Sequence, residues 1–383
     1  MKVLYGARLF DGERLHDDRA LVVDGGSIHA LTPFEDRPRG PEQLDLGGGI
    51  LSPGFVDWQI NGGGGVLFNA EPTVEAIAAI AAAHRRAGVT AFLPTVVTDA
   101  PRVLDEALAA AREARARVPG ALGIHVEGPF IDMRRKGAHP PAFIRPMREE
   151  DADALIAARA RVMVVTLAPA SVPLERIARL AKAGIVVSLG HSDASAEEAL
   201  SVFDAGASAV THLYNAMSQL HSRAPGVVGA ALADKRVICG LIADGEHAHG
   251  LAYRAALAAK GARGIALVSD AMPSAAGGPD IFELQGRRIS RVGDKLVTDD
   301  GTLAGAAITM RDAVAYVVQK LGVPLADALM MATLTPARLL RVDDRLGRLK
   351  PGCRADLVHL TDDFQVAEVW SGGRRLVELD AAA

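Results

Sequence analysis

The feature that most constrains the fold is a regular alternation of short apolar runs with longer alanine-rich segments of helical period. The apolar runs predict strands at Val89–Pro94, Leu122–Val126, Val162–Leu167, Ile185–Leu189, Ala207–Val210, Val237–Ile242 and Ile265–Val268. The periodic segments between them predict helices at Val74–Arg86, Arg102–Arg117, Asp151–Arg159, Leu174–Ala183, Ala196–Ala205 and Leu251–Lys260. Strict alternation with short connections is typical of a parallel sheet flanked by helices.

An eighth strand at Ile50–Trp58 favours an α/β fold in which the sheet closes into a (β/α)8 TIM-type barrel. A doubly wound open sheet would give the same alternation. That fold usually carries a glycine-rich dinucleotide turn early in the chain, whereas Gly62–Gly65 is a run of four glycines. Glycines that end four of the predicted helices can supply left-handed caps: Gly88, Gly184, Gly206 and Gly261.

The two ends of the chain read differently from its middle. Residues 1–50 and 344–383 predict short strands, the last of them at Arg374–Leu379, with hairpin turns at Gly25-Gly26 and Gly372-Gly373. We expect both ends to form one small β-sandwich domain, which leaves residues 51–343 for the barrel. A further β insertion is predicted at about residues 281–298.

Composition excludes several kinds of partner. The net charge of −4 gives no basic face for nucleic acid, and no apolar run approaches the ~18 residues of a membrane-spanning helix. The two cysteines, Cys239 and Cys353, do not form a disulfide framework, and no signal peptide is readable, so we expect a cytoplasmic protein. The basic run Arg134–Lys136 is interpreted as a solvated loop.

Polar residues directly follow four of the predicted strands: Glu127, His191, His212 and Asp270. In a parallel barrel the strand ends share one rim, where the active site lies. Two imidazoles and one carboxylate are the ligand set of an open catalytic zinc site, which makes hydroxide available near neutral pH. Asp270 could then carry a proton from water to a leaving group. An ordinary capping or loop role remains the alternative for each of these residues.

Seven short motifs between residues 51 and 349 resemble those of the N-acetylglucosamine-6-phosphate deacetylases, a branch of the amidohydrolase superfamily. They are Pro53-Gly54-Phe55-Val56-Asp57, His125-Val126-Glu127-Gly128-Pro129-Phe130, Lys136-Gly137-Ala138-His139, Gly190-His191-Ser192-Asp193, Thr211-His212-Leu213-Tyr214-Asn215-Ala216-Met217, Ile242-Ala243-Asp244-Gly245-Glu246-His247 and Val268-Ser269-Asp270-Ala271. The resemblance implies that Glu127, His191 and His212 bind a divalent metal and that Asp270 acts as general base and then general acid.

The resemblance also implies a substrate, an amino-sugar phosphate. His139 would polarise its acetyl carbonyl. The sugar phosphate would be bound by Asn215, the backbone of Ala216, Arg223 and His247, with the Arg223 guanidinium best shaped for the phosphate. Some of these contacts cross a subunit interface in such enzymes, so a homodimer is implied.

One position separates branches of the superfamily. Where many members carry His-x-His, this chain has Gln59-Ile60-Asn61. Neutral amides are poor metal ligands beside imidazole, so we predict one divalent metal per chain rather than two. Zinc suits the ligand set, and iron is feasible.

The resemblance implies hydrolysis of the acetamide of N-acetyl-D-glucosamine 6-phosphate to glucosamine 6-phosphate and acetate. N-acetylgalactosamine 6-phosphate remains an alternative substrate, because the two sugars differ at one hydroxyl. A cyclic-amide hydrolase or deaminase would usually need the missing His-x-His pair. A catalytically inactive sugar-phosphate-binding protein is the alternative from a different class.

Overall fold

The computed structural model describes residues 1–158 and 161–378. Eight parallel strands follow one another around a ring in chain order: Phe55–Ile60, Val89–Val97, Gly123–Glu127, Val162–Leu167, Val186–Leu189, Ala209–Val210, Ile238–Ile242 and Ile265–Val268. The end of the first strand meets the residues just after the eighth, where Asp270 N–H donates to the Gln59 carbonyl at 3.0 Å. Ile60 and Ala271 form a parallel bridge at the same place. The predicted (β/α)8 barrel is confirmed.

The predicted strand Ile50–Trp58 is wrong as a single element. Residues Ile50–Pro53 belong to a terminal sheet, and the barrel begins at Phe55. Gly54 lies at the junction, and its N–H donates to the Asp356 carbonyl at 2.8 Å. A Cβ at Gly54 would lie 2.1 Å from the Thr90 hydroxyl oxygen, so glycine is needed where the chain passes from one sheet to the other.

Six observed helices match the predicted ones to within two residues at each described end: Val74–Arg85, Pro101–Arg117, Glu149–Ala158, Leu174–Lys182, Ala196–Asp204 and Gly250–Lys260. The predicted end of the third, at Arg159, lies outside the described residues. All four glycines have positive φ values, of 65–109°, as predicted, but Gly261 has a ψ of 174° and so lies outside the left-handed helical region. Four helices have no predicted counterpart: Gly226–Ala233, Met310–Gln319, Leu325–Ala332 and Leu334–Leu339. Two 3-10 turns lie at Met133–Arg135 and Pro141–Phe143.

The lower half of the barrel interior is filled by apolar side chains. Val56, Trp58 and Leu93 are fully buried there, and Leu339 from the helix Leu334–Leu339 packs against the same cluster. The apolar half leaves the carboxyl ends of the strands as the polar end of the barrel.

The two termini build a pair of small sheets. The first contains Lys2–Tyr5, Arg19–Asp24, Ser27–Pro33 and Glu42–Asp45; the second contains Arg8–Phe10, Leu15–His16, Ile50–Pro53, Leu357–Leu360, Val366–Ser371 and Arg374–Glu378. Both predicted hairpin turns are present, with positive φ at each glycine pair. Leu379, the predicted end of the last strand, lies outside the described residues. We propose residues 1–53 and 344–378 as the described part of the small domain.

A four-stranded antiparallel sheet follows the eighth barrel strand: Ile281–Leu284, Arg287–Val292, Lys295–Thr298 and Leu303–Ala306. We call residues 281–306 the insertion sheet. It extends beyond the predicted residues 281–298, because Leu303–Ala306 adds a fourth strand that pairs with Lys295–Thr298. A two-stranded ribbon, Gly62–Gly63 with Val66–Leu67, lies after the first barrel strand. No helix among the described residues is long and apolar enough to cross a membrane.

Candidate metal centre and active-site cavity

Three of the predicted side chains meet above the barrel. Glu127 ends the third barrel strand, and His191 and His212 follow the fifth and sixth. Glu127 Oε1 lies 3.1 Å from His191 Nε2 and 3.0 Å from His212 Nε2, and the two nitrogens are 3.0 Å apart. Ligands held about 2.0–2.1 Å from a tetrahedral zinc ion lie about 3.3 Å from one another, so this triangle fits such an ion.

The backbone that brings these side chains together is strained. His191, His212 and Asp270 have φ values of 46°, 31° and 48°, although none is glycine. Left-handed backbone at such residues costs on the order of 1–3 kcal/mol each and clusters at functional sites. The turn places each side chain over the barrel axis immediately after its strand.

The His191 ring is fixed from outside. Its Nδ1–H donates to the Arg135 carbonyl at 2.9 Å, and this contact turns Nε2 toward Glu127 and His212. Metal-binding histidines are oriented by this kind of contact. His212 Nδ1 is buried and has no hydrogen-bond partner among the described residues.

Asp270 lies on the other side of Glu127. Asn61 Nδ2 donates to Asp270 Oδ1 at 2.7 Å, and Gln59 Nε2 lies 3.1 Å from both Asp270 Oδ1 and Glu127 Oε2. Burial and the neighbouring Glu127 carboxylate raise the pKa of Asp270 to about 6. The carboxylate can therefore both accept and return a proton near neutral pH.

His139 approaches the same triangle from the loop after the third strand. Its Nδ1 lies 2.7 Å from the Thr98 hydroxyl, and its ring centroid is 4.3 Å from that of His191. Ligand atoms of Glu127, His139 and His191 all lie within 4.8 Å of one another. Burial and the neighbouring His191 hold the pKa of His139 well below its usual value, so its imidazole is neutral.

Burial would raise the pKa of Glu127, but hydrogen bonds with His191 and His212 hold it well below its usual value. Burial would lower the pKa of His212, yet the hydrogen bond and charge of Glu127 raise it. Glu127 is thus the negative charge around which the imidazoles gather. The anionic carboxylate is also the form of Glu127 that a cation would need.

A layer of hydroxyl groups supports this centre from below. His125 Nε2 lies 2.7 Å from the Thr166 hydroxyl, which lies 2.7 Å from that of Thr211. The Ser188 hydroxyl continues the chain at 2.6 Å from Thr211. Burial lowers the pKa of His125 to about 4, so it is a neutral bridge within the barrel.

A cavity of about 390 Å³ opens over the centre. Its wall contains the four strand-end residues and, of the residues implied by the resemblance, His139, Asn215, Ala216 and His247. Asp244 fixes His247, because Asp244 Oδ2 lies 2.6 Å from His247 Nδ1. Arg223 is the exception: it is exposed and is not part of the described wall.

The structure adds wall residues that the sequence did not single out. Arg134 keeps an exposed side chain, as the predicted solvated loop requires, but it and Arg135 line the cavity and pair with Asp193. The insertion sheet supplies Leu284 and Leu303 to the opposite wall. Gln59 is the penultimate residue of the first strand, Phe55–Ile60, and Asn61 directly follows that strand, so the strand-end rule could have identified both as site residues and not only as missing metal ligands.

Residues 50–376 match the Amidohydrolase family. The match covers most of the chain, so the chain belongs to the amidohydrolase family, and the predicted resemblance is confirmed.

The chain is also similar over its full length to individual members of this family. The chain is 40% identical over 385 residues to the N-acetylgalactosamine-6-phosphate deacetylase of Shewanella sp. (strain ANA-3), covering 100% of this chain and 98% of that protein. It is 36% identical over 353 residues to the N-acetylglucosamine-6-phosphate deacetylase of Haemophilus influenzae, covering 91% and 92%. The crystal structure of N-acetylglucosamine-6-phosphate deacetylase from Pasteurella multocida has a TM-score of 0.95 at 35% identity, covering 98% and 99%.

Proposed function

We propose that this protein hydrolyses the acetamide of N-acetyl-D-glucosamine 6-phosphate to glucosamine 6-phosphate and acetate. The observation that carries this proposal is a buried Asp270 beside the triangle of Glu127, His191 and His212, at the floor of one cavity. The names of the full-length relatives support the substrate class.

The centre is proposed to hold one divalent cation through Glu127, His191 and His212. Such a cation, when bound, supplies Lewis-acid chemistry to water and to an amide carbonyl. Zinc is the proposed metal because two imidazoles and a carboxylate are its usual catalytic ligands, and iron is feasible. Gln59 and Asn61 turn their amide nitrogens toward the two carboxylates as hydrogen-bond donors, and an amide N–H is not a metal ligand, which supports a single site.

The chain's own residues move the proton and hold the acetyl group. Asp270 takes a proton from the water that adds to the acetyl carbon, and returns it to nitrogen as the carbon–nitrogen bond breaks. His139 is proposed to donate from Nε2–H to the acetyl oxygen, while the Thr98 hydroxyl donates to Nδ1. The low pKa of His139 suits this neutral donor.

Asn215, the Ala216 backbone and His247 are proposed to bind the sugar phosphate, since all three line the cavity. Arg223 lies in the exposed segment 219–224, beside Leu220, which is 56% exposed. We propose that this segment meets a second subunit and that Arg223 completes the phosphate site of its partner in a homodimer. Both cysteines are free and buried, which supports the proposed cytoplasmic location.

N-acetylgalactosamine 6-phosphate is the second candidate substrate, and the 40% identity to the Shewanella protein favours it. The test is acetate release by the metal-loaded protein from both sugar phosphates and from unphosphorylated N-acetylglucosamine. We expect the highest kcat/KM on N-acetylglucosamine 6-phosphate and a large loss without the phosphate. Preference for the galactose epimer would move the assignment to the second candidate, and no acetate from either phosphate would overturn both.

A further inference from the structure

The tip of the insertion sheet has an unusual backbone. Gln285 and Gly286 join its first two strands with φ values of 52° and 77°. A two-residue hairpin turn of this kind needs positive φ at both positions and favours Asn or Gly at the first. A glutamine there costs about 1–2 kcal/mol. Backbone strain of this kind persists only where other contacts of the residue compensate for it, so the contacts of the Gln285 side chain matter.

The Gln285 side chain points back to the barrel rim. Its amide nitrogen donates to the Thr98 carbonyl and, at 3.0 Å, to Asp99 Oδ2. Thr98 is the residue whose hydroxyl lies 2.7 Å from His139 Nδ1. The hairpin tip therefore holds the peptide that carries the hydrogen-bond partner of His139.

Arg287, two residues further on, reaches the other side of the same imidazole. Its guanidinium donates to the carbonyl of Ala138, the residue directly before His139. Beneath these contacts Leu284, Ile289 and Leu296 are buried in an apolar cluster against which Ala138 packs. The insertion sheet thus contacts the backbone on both sides of the His139 side chain.

We propose that the insertion sheet positions His139, with Gln285 and Arg287 as the positioning residues that act through Thr98 and Ala138. The proposal rests on the proposed function, in which His139 contacts the acetyl carbonyl. Neither residue is proposed to touch the substrate. A displacement of the imidazole by about 1 Å can lower turnover by up to about a hundredfold. Loss of either positioning contact should therefore have a measurable effect on kcat.

Gln285→Gly is the sharpest variant, because glycine favours the turn while the amide donor is lost. We expect kcat to fall about tenfold while the melting temperature stays the same or rises. Arg287→Ala should lower kcat by a similar factor. Arg288→Ala is the matched control on the same strand, since Arg288 is exposed and its side chain alternates to the other face. It should leave kcat unchanged.

A double-mutant cycle separates positioning of His139 from general loosening of the site. In a His139→Gln background, Gln285→Gly and Arg287→Ala should each lower kcat less than about twofold further. The same tenfold loss in that background, or wild-type kcat in both single variants, would overturn the proposal.

Histidine ring NMR on metal-loaded protein gives a readout that does not need turnover. The His139 ring signals, assigned with His139→Gln, should shift in Gln285→Gly and remain in place in Arg288→Ala. Unshifted signals in Gln285→Gly would overturn the positioning role. Absence of acetate release by the wild type with shifted signals would instead reject the proposed function alone.

Discussion

Asp270 is a buried carboxylate on a left-handed backbone, with amide donors on one side and the carboxylate of Glu127 on the other. In this environment the protonated and ionised forms of Asp270 are both accessible near neutral pH. Its environment supports a proton carrier better than a structural anion, because burial and the neighbouring Glu127 carboxylate raise its pKa to about 6.

Asp270→Asn should therefore lower kcat by about a hundredfold to ten-thousandfold, the range that general acid–base catalysis contributes. The metal should remain, because Glu127, His191 and His212 are untouched. Steady-state kinetics with metal analysis on the same sample checks both statements. Asp299→Asn, at an exposed aspartate, is the control. Near-normal turnover by Asp270→Asn would remove Asp270 as the base.

Asp57 is a second buried carboxylate, and it supports the turn that carries Asp270. It accepts hydrogen bonds from the Ser269 hydroxyl at 2.5 Å and from the Gln59 N–H at 3.2 Å. Burial raises its pKa from 3.8 to about 7 despite these bonds. Between pH 4 and 7 the folded chain therefore holds a proton that the unfolded chain releases.

The contribution of Asp57 to stability should be fully present below about pH 4 and lost as the pH rises through about 7. The pKa difference corresponds to about 4 kcal/mol. Asp57→Asn should flatten this pH dependence, since the Ser269 hydroxyl can also accept from the new amide. Urea unfolding of both proteins across this pH range checks it. Parallel pH profiles would show that Asp57 titrates normally in the fold.

At the scale of elements, Gly54 marks the passage from the terminal sheet into the barrel. A methyl group there would lie 2.3 Å from Thr90 Cγ2 and 2.7 Å from Thr90 Cβ, so rotating the threonine does not relieve the clash. We expect Gly54→Ala to lower the free energy of unfolding by about 1–3 kcal/mol.

Gly40→Ala is the matched control for Gly54→Ala, because nothing lies within 4 Å of its added Cβ. Chemical unfolding of both variants and the wild type gives the comparison. Equal stability of the two variants would mean that the junction relaxes at no cost.

The barrel was predictable because each strand is a contiguous apolar run, and because alternating helices leave few topologies. The helix Gly226–Ala233 was not, since its sequence is apolar on all sides and shows no periodicity. Met310–Gln319 could have been found: Thr309 and Asp312 form a capping box that is visible in the sequence.

For the candidate site, the strand-end rule identified Glu127, His191, His212 and Asp270 because chain position alone decides which rim they reach. The insertion sheet was predicted as an element, but its reach to His139 was not. That contact joins Arg287 to Ala138, which are far apart in the chain, and no local pattern encodes such a pairing.

At the scale of the whole molecule, the proposed metal would tie together three separate barrel strands. Removing it with a chelator should lower the melting temperature on the order of 5 °C, since ligand present at a thousand times its Kd stabilises by about 4 kcal/mol. Calorimetry during zinc titration should show full recovery at one equivalent per chain. Recovery that continues to two equivalents would contradict the single site inferred from Gln59 and Asn61.

The proposed role of Arg223 across a subunit interface has a distinctive outcome. Arg223→Ala should raise KM for the sugar phosphate, and Asp270→Asn should lower kcat. Co-expressing both variants should restore about a quarter of wild-type activity at low substrate, because half the randomly paired dimers contain one complete site. No recovery above the separate variants would place Arg223 outside the partner's site.

The strand Leu357–Leu360 lies between Ile50–Pro53 and Val366–Ser371 in the terminal sheet. On the ribosome the earlier strand must wait for about 300 further residues, roughly 15–60 s of synthesis, before this neighbour is made. All four residues of Ile50–Pro53 are buried in the finished protein. During that interval the unpaired edge of this strand could pair with the same strand of another nascent chain on the same messenger RNA. The barrel can begin folding co-translationally, whereas the terminal sheet can close only when translation is nearly complete.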